Sequence, residues 1–404
     1  MARTIPIQPV PAHAVSGLEF KVSPPLALYI HLPWCVQKCP YCDFNSHARA
    51  AGVPEAAYVA ALIADLEAAL PLVWGRRVVS VFFGGGTPSL LSGEAVDTLL
   101  AAIRARLPLV YGAEITLEAN PGTAESGKFA AFRAAGVNRL SLGIQSFNPA
   151  HLKALGRIHD AQEACRAIEL AARHFDSFNL DLMYGLPQQT MTQALADLEQ
   201  ALTFAPSHLS CYQLTLEPNT AFAAAPPALP DPDRCADMQE AIEARLADAG
   251  YTHYETSAFA QPGKQCRHNR NYWTFGDYLG IGAGAHSKLT VPTPDGRRIL
   301  RQMRWKLPKQ YLAQVAAGRP VQDEFDVAAE ELPFEFMMNA LRLNQGFETT
   351  LFAERTGLPL EGIENTLRQA EQDGLIERTP GCIAPTRHGQ RFLNRLLERF
   401  LADD

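Results

Sequence analysis

Six short apolar runs, each of strand length and each followed by a longer segment of helical period, constrain this chain more than any other feature. The runs are Leu26–His31, Val78–Phe83, Glu114–Glu118, Arg139–Ile144, Phe178–Met183 and Leu209–Leu214. Between the first two, Val59, Leu62, Ile63, Leu66 and Leu70 recur at helical spacing. Gly136 follows a helix-like Phe129–Ala135 in the position of a C-cap. Strands alternating with helices imply parallel pairing through right-handed crossovers. Six such units fit an α/β fold of two kinds, an incomplete (βα)6 barrel or a flat doubly wound sheet.

The unusual residues favour the barrel. After the first run comes a cysteine cluster, and after the second Gly84-Gly85-Gly86-Thr87-Pro88. The third ends in Glu118-Ala119-Asn120-Pro121 and the fourth in Gln145-Ser146. The fifth carries Asp181 and Tyr184-Gly185, and the sixth runs into Tyr212-Gln213. A barrel gathers the carboxyl ends of its strands into one mouth, where such folds keep their sites. A flat sheet would spread them along an edge.

Around this core, spanning 25–325, residues 1–24 read as an irregular arm. A Pro- and Ala-rich loop (Glu217–Asp233) precedes a helix ending near Gly250 and a strand-like run at His253–Phe259. After a glycine-rich turn, Gly280–Gly284, the pattern loosens until about 325. Residues 326–404 then resemble a winged helix: Thr350–Arg355, a Gly357-Leu358-Pro359 break, a helix through Gln372, a strand pair around Pro380-Gly381 and a last helix.

A formal charge of −7 without a basic run argues against a nucleic-acid partner. No stretch has the eighteen or so apolar residues of a membrane span. The first two dozen residues lack the pattern of a signal peptide, so a cytoplasmic location is expected. Eight cysteines in such a chain are not expected to form a disulfide framework.

Three of them lie within eight residues, as Cys35-Val-Gln-Lys-Cys39-Pro-Tyr-Cys42. Thiolates at this spacing can bind three corners of a [4Fe–4S] cube and leave the fourth iron open. The amino and carboxylate groups of S-adenosylmethionine can chelate that iron, placing the sulfonium beside an electron source. The rival is structural zinc with His47 as fourth ligand. A zinc knot has no use for the glycine run or for polar residues at the other strand ends. The glycines allow close backbone approach, and their amides are expected to bond the cofactor's amino-acid end. Glu118, Gln145 and Asp181 share the mouth and can bond amino or hydroxyl groups, or act as structural hydrogen-bond partners.

Together these residues resemble the radical S-adenosylmethionine superfamily. Tyr29-Ile-His31-Leu-Pro33-Trp34-Cys35 is similar to its oxygen-independent coproporphyrinogen oxidase branch, and within that branch to the HemW type of haem chaperone. The resemblance implies S-adenosylmethionine contacts at Tyr29, Tyr41, Gly85, Gly86, Thr87, Glu118, Gln145, Arg157 and Asp181. Of these, Arg157 is the loosest match to the family's pattern. The oxidases carry a fourth cysteine two residues after the third cluster ligand, where this chain has Phe44. His268-Asn269-Arg270-Asn271-Tyr272-Trp273 is similar to the H-N-x-x-Y-W motif linked to haem in the chaperones. His268 offers an axial imidazole, Tyr272 and Trp273 offer flat faces, and Asn269 completes the motif. Cys266, two residues upstream, is a candidate thiolate ligand.

The expected function is therefore delivery of haem to an apo-haemoprotein, plausibly respiratory, with a separate electron donor serving the cluster. Two alternatives stand beside it: oxygen-independent coproporphyrinogen III oxidase, and a regulator whose C-terminal domain binds DNA.

Overall fold

In the computed structural model the described residues are 20, 23–48, 52–123, 126–294 and 296–401. Most of the expected arm, 1–24, lies outside them.

Strand β1 (Leu26–Leu32) leads into β2 (Trp34–Cys35), which pairs in parallel with β3 (His47–Ala48) and so closes the cysteine loop at its base. Helix α1 (Glu55–Ala69) buries Val59, Leu62 and Leu66, the apolar stripe expected there. There follow β4 (Val78–Gly85), α2 (Gly93–Arg106), β5 (Leu109–Ala119), α3 (Ser126–Ala135) and β6 (Arg139–Gln145). Next come α4 (Pro149–Ala154), α5 (Ala161–His174), β7 (Phe178–Tyr184), α6 (Met191–Leu202) and β8 (His208–Gln213). Capping boxes start two of these helices, Asp160 with Glu163 and Thr190 with Gln193, so the entries into α5 and α6 are set locally. Gly136 adopts φ +109° just after α3, where a side chain would run into the Arg104 guanidinium.

The parallel order is β1-β4-β5-β6-β7-β8, so each new strand is laid beside the last. A doubly wound sheet reverses direction at a switch point. Through β8 this one does not, which is the order of a partial (βα)6 barrel. Core residues such as Leu28, Ile30, Val81, Phe83, Leu117, Leu140 and Leu180 are fully buried.

Beyond β8 the chain departs from the expected pattern. After α7 (Ala221–Ala224) and α8 (Pro232–Asp248), the run at His253–Phe259 is a hairpin, β9 (Thr252–Glu255) and β10 (Ala258–Ala260), turning at Thr256-Ser257. It adds antiparallel to β8. Helix α9 (Arg267–Trp273) then precedes β11 (Asp277–Ile281), which pairs in parallel with β1. The loosened stretch is in fact ordered: β12 (His286–Thr293), β13 (Gly296–Arg304), α10 (Pro308–Ala316) and β14 (Val321–Asp326). These strands extend the sheet antiparallel past β11 to twelve strands in all. Gly280 lies within β11 rather than in a turn, where it admits the His286 carbonyl.

The C-terminal part matches the winged-helix expectation. It comprises α11 (Leu332–Ala340), β15 (Phe347–Glu348), α12 (Thr349–Thr356), α13 (Glu364–Gln372), β16 (Ile376–Thr379), β17 (Cys382–Pro385), α14 (Arg387–Arg391) and α15 (Leu393–Leu397). Its three strands form a separate sheet. Phe336 on α11 packs edge-on against Phe275, just after α9, at 5.7 Å.

Candidate functional site

The cysteine loop leaves β1 at the carboxyl end of the barrel. A backbone turn from Cys42 N–H to the Cys39 carbonyl (3.2 Å) shapes it, and Asn45 Nδ2 donates to the carbonyls of Ala283 (2.9 Å) and Lys306 (3.0 Å). Burial pushes the Cys35 thiol up, countered by the Thr87 hydroxyl and aggravated by Cys42 and Cys39. Cys42 is pushed up chiefly by burial as well. Three thiolates this close repel one another until a cationic cluster neutralises them, so the donor set fits such a cluster. Among the described residues no three His, Cys, Asp or Glu side chains converge on a point that would hold a lone metal ion. His47 is engaged elsewhere, its Nε2 lying 3.2 Å from Asn45 Oδ1.

Arg157 ties the other strand ends to this loop. Its guanidinium donates to Cys39 Sγ (3.7 Å), to the Gly143 carbonyl (2.7 Å) and to Asn120 Oδ1. Asn120 Nδ2 in turn donates to Thr87 Oγ1 at 2.9 Å. The residue whose motif match is loosest thus links three strand ends to a cluster cysteine. Gln145, at φ +70° beside a register shift at the end of β6, turns its amide toward the same place: a side chain on Gly143 would meet Gln145 Nε2 at 3.0 Å. Such a backbone outlier at a strand end marks a site held in position by its surroundings.

The glycine run needs a correction. Gly86 N–H donates to the Leu32 carbonyl (2.7 Å) and Thr87 N–H to the Trp34 carbonyl (2.8 Å), so both amides are taken within the chain. A Cβ at Gly85 would lie 2.5 Å from the His31 ring, and one at Gly86 2.5 Å from the Trp34 carbonyl. The run therefore seats the cysteine loop against β4. Of the run, only Gly85 reaches the lining of the mouth cavity.

That cavity, about 1040 Å³, is lined by Tyr29, Gly85, Glu118 and Tyr272, together with residues of the cysteine loop and of the β11–β13 extension. Glu118 is raised to about 8, first by burial and then by the nearby Asp181. Burial likewise raises Asp181, which accepts from Asn179 Nδ2 (2.8 Å) and Ser141 Oγ (3.1 Å). Burial raises Tyr29 strongly, and its hydroxyl pairs with His31 Nδ1 at 3.1 Å. Tyr41, also raised by burial, lies beside Arg157 and Cys39. Local motifs do not point to His31, Lys38, Asn45, Tyr278, His286 or Lys306 as lining residues. The last three come from strands or strand ends that the sequence pattern does not reveal.

The haem motif divides. His268 is 2% exposed, and burial holds it at about 3, so the imidazole is neutral. Its Nδ1 pairs with Ser80 Oγ at 3.0 Å, while its Nε2 is buried without a hydrogen-bond partner. Phe82 stacks on the ring at 4.8 Å. Tyr272 and Tyr29, at 5.1 and 6.3 Å, stand beside His268 and themselves line the cavity. Asn269 is half-buried on α9. Trp273 does not join Tyr272 in a common face: Arg342 lies over its ring at 4.3 Å, so it serves the contact with the C-terminal part. Cys266 is pushed up to about 12 by burial and bonds Glu114 at 3.5 Å, the state of an inert thiol.

Comparisons with known proteins agree with this geometry. The radical SAM superfamily profile matches residues 29–201, and the HemN C-terminal domain profile matches 327–392. The Escherichia coli protein "Heme chaperone HemW" is 52% identical over 381 residues, covering 94% of this chain and 99% of that one. A Mycobacterium tuberculosis protein of the same name is 36% identical over 403 residues, covering 96% and 95%. The solved structure of coproporphyrinogen III oxidase (HemN) from Escherichia coli superposes with a TM-score of 0.79 at 25% identity, covering 94% of this chain and 90% of that one. No helix among the described residues is long and apolar enough to cross a membrane. With its cysteine loop, strand order and C-terminal domain all accounted for, the chain belongs to the HemW family of haem chaperones, within the radical SAM superfamily.

Proposed function

We propose that the chain binds haem at the barrel mouth and transfers it to an apo-haemoprotein of the respiratory chain, with an electron donor serving the cluster. The observation that carries this reading is the 52% identity to a haem chaperone along 94% of the chain. The unpartnered Nε2 of a neutral, buried His268 supports it, because that atom is a free imidazole donor for iron. In the tautomer whose Nδ1–H donates to Ser80, Nε2 presents its lone pair. Tyr29 and Tyr272 stand between His268 and the cavity, so ligation requires those rings to turn aside.

Cys35, Cys39 and Cys42 would hold the [4Fe–4S] cluster, with Arg157 and Thr87 positioning Cys39 and Cys35. Tyr29, Gly85 and Glu118, which line the cavity, would contact S-adenosylmethionine, with Tyr41, Gln145, Arg157 and Asp181 around them and Gly86 and Thr87 seating the loop. When bound, that pair supplies a one-electron reductant beside a cleavable sulfonium. Glu118 is the group that can give up a proton when a cationic amino group arrives.

Haem titration of the anaerobically reconstituted protein tests the reading. His268→Ala is expected to shift the Soret band and weaken binding while iron–sulfur content is unchanged, and Cys266→Ala to bind like the parent. Unaltered haem binding in His268→Ala contradicts ligation by this residue. A second reading, oxygen-independent coproporphyrinogen III oxidase, is favoured by the likeness to the Escherichia coli enzyme. Against it, Phe44 is 61% exposed where that branch carries its fourth cysteine.

A further inference from the structure

Lys38, His47, His286 and Lys306 line the mouth cavity, and none of them is a cluster ligand or part of the His268 motif. They are also neighbours of one another. The Lys38 charge bears on His47, which lies against the Lys306 main chain, and the Lys306 charge bears on His286. Two lysine ammonium groups thus stand with two imidazoles that burial holds toward the neutral form, and Asp43 is the one acid in the same lining besides Glu118.

The fold does not need this charge. Lys38 Nζ donates to the Phe44 carbonyl at 3.3 Å, and among the described residues neither lysine lies within ion-pair distance of a carboxylate. The loop that carries Lys38 and His47 is anchored to the β11–β13 extension by Asn45, whose Oδ1 lies 3.2 Å from His47 Nε2. Like charges gathered without counter-charge cost free energy, and the usual return is an anionic ligand. The same cavity presents aromatic surface. Tyr272 and Tyr278 lie 4.4 Å apart between ring centroids, and Arg301 fixes the Tyr278 hydroxyl at 2.6 Å. Aromatic surface suits a flat apolar body, and the nitrogens suit anionic arms attached to it.

We propose that Lys38, His286 and Lys306 hold the two propionate carboxylates of haem, with the macrocycle resting against Tyr272 and Tyr278. This rests on the reading that the chain binds haem and names the part of the ligand that the extension of the sheet recognises. It also gives the β12–β13 addition a function, since His286 opens β12 and Lys306 follows β13.

The test compares haem with its dimethyl ester, which has the same ring and iron but capped propionates, by Soret titration of the reconstituted full chain. The parent is expected to prefer haem by about tenfold or more, the worth of a charge-assisted hydrogen bond. A Lys38→Gln/Lys306→Gln double variant should lose that preference and keep the parent's affinity for the ester. His286→Gln, outside the cysteine loop, should reduce the preference by roughly threefold or more with iron content unchanged, as loss of one shared contact implies. Equal binding of haem and ester by the parent overturns the proposal alone, as does an undiminished preference in His286→Gln. Failure of the parent to bind haem at all overturns both this proposal and the reading beneath it.

Discussion

Glu118 keeps its proton to about pH 8 because burial and the nearby Asp181 both disfavour its charge. Its ordinary value is 4.5, so across that interval the folded chain holds a proton that the unfolded chain has lost. This contribution to stability is complete below about pH 4.5 and is lost as pH rises through about 8. Glu118→Gln removes the ionisable group, so its urea midpoint should fall less steeply between pH 5 and 8. At pH 8 the variant should be the more stable by a few kcal/mol, since each pH unit in that interval is worth about 1.4 kcal/mol. Parallel pH profiles for parent and variant would show that Glu118 is not held neutral. At the cluster, Cys35→Ala, Cys39→Ala and Cys42→Ala should each abolish a content of about four irons and four sulfides per chain. Cys165→Ala and Cys382→Ala should leave it intact. One zinc per chain without labile sulfide after anaerobic preparation would contradict the cluster.

Elements are joined here by contacts that tolerate little change. Gly86→Ala places a Cβ 2.5 Å from the Trp34 carbonyl, so β2 and the cysteine loop must shift. A destabilisation of about 1–3 kcal/mol and reduced iron content are expected; parental iron content would contradict the seating role given to Gly86. On the other flank, Asp65 of α1 accepts from Arg304 Nε (3.0 Å), Tyr311 Oη (2.9 Å) and Gly282 N–H (3.1 Å), pinning the helix to the β11–β13 extension. Asp65→Ala strands the buried Arg304 charge and should cost about 3–5 kcal/mol in denaturant unfolding. A loss under about 1 kcal/mol would mean that Arg304 finds another partner. These same charges explain what sequence does not show. The six βα units are legible because their strands are nearly continuous apolar runs. In β12–β14, Lys288 pairs with Asp277, Arg298 with Asp326, Arg301 with Glu335 and Arg304 with Asp65. Charged residues at buried or half-buried positions erase the contrast between faces on which strand recognition depends. The cysteine loop and strand-end polar residues are legible as local motifs. His286 and Lys306 are not, because their place depends on strands that the pattern hides. The division of Tyr272 from Trp273 depends on Arg342, far along the chain, and no local spacing reveals it.

At the scale of the whole molecule, the C-terminal part serves the barrel. Phe336 packs on Phe275, Arg342 covers Trp273, and Arg391 pairs with Glu240 of α8. The acidic face of α13 is met from within its own domain, where Arg378 donates to Glu364 at 2.9 Å. A phosphate backbone needs free lysines and arginines on such a helix, so the full chain is expected to show no salt-sensitive binding to duplex DNA in a mobility or anisotropy assay. Such binding would return the regulatory alternative to consideration. This radical SAM scaffold is expected to carry haem and not to decarboxylate a porphyrinogen. The most direct measurement gives one anaerobic preparation, with intact cluster and S-adenosylmethionine, two parallel tasks. Loaded with haem, it is mixed with the apo-form of a haem-dependent respiratory enzyme; supplied with reductant, it is offered coproporphyrinogen III. The acceptor is expected to gain haem and activity while no protoporphyrinogen IX forms. Multiple turnover of coproporphyrinogen III, with no haem passed to the acceptor, would contradict this.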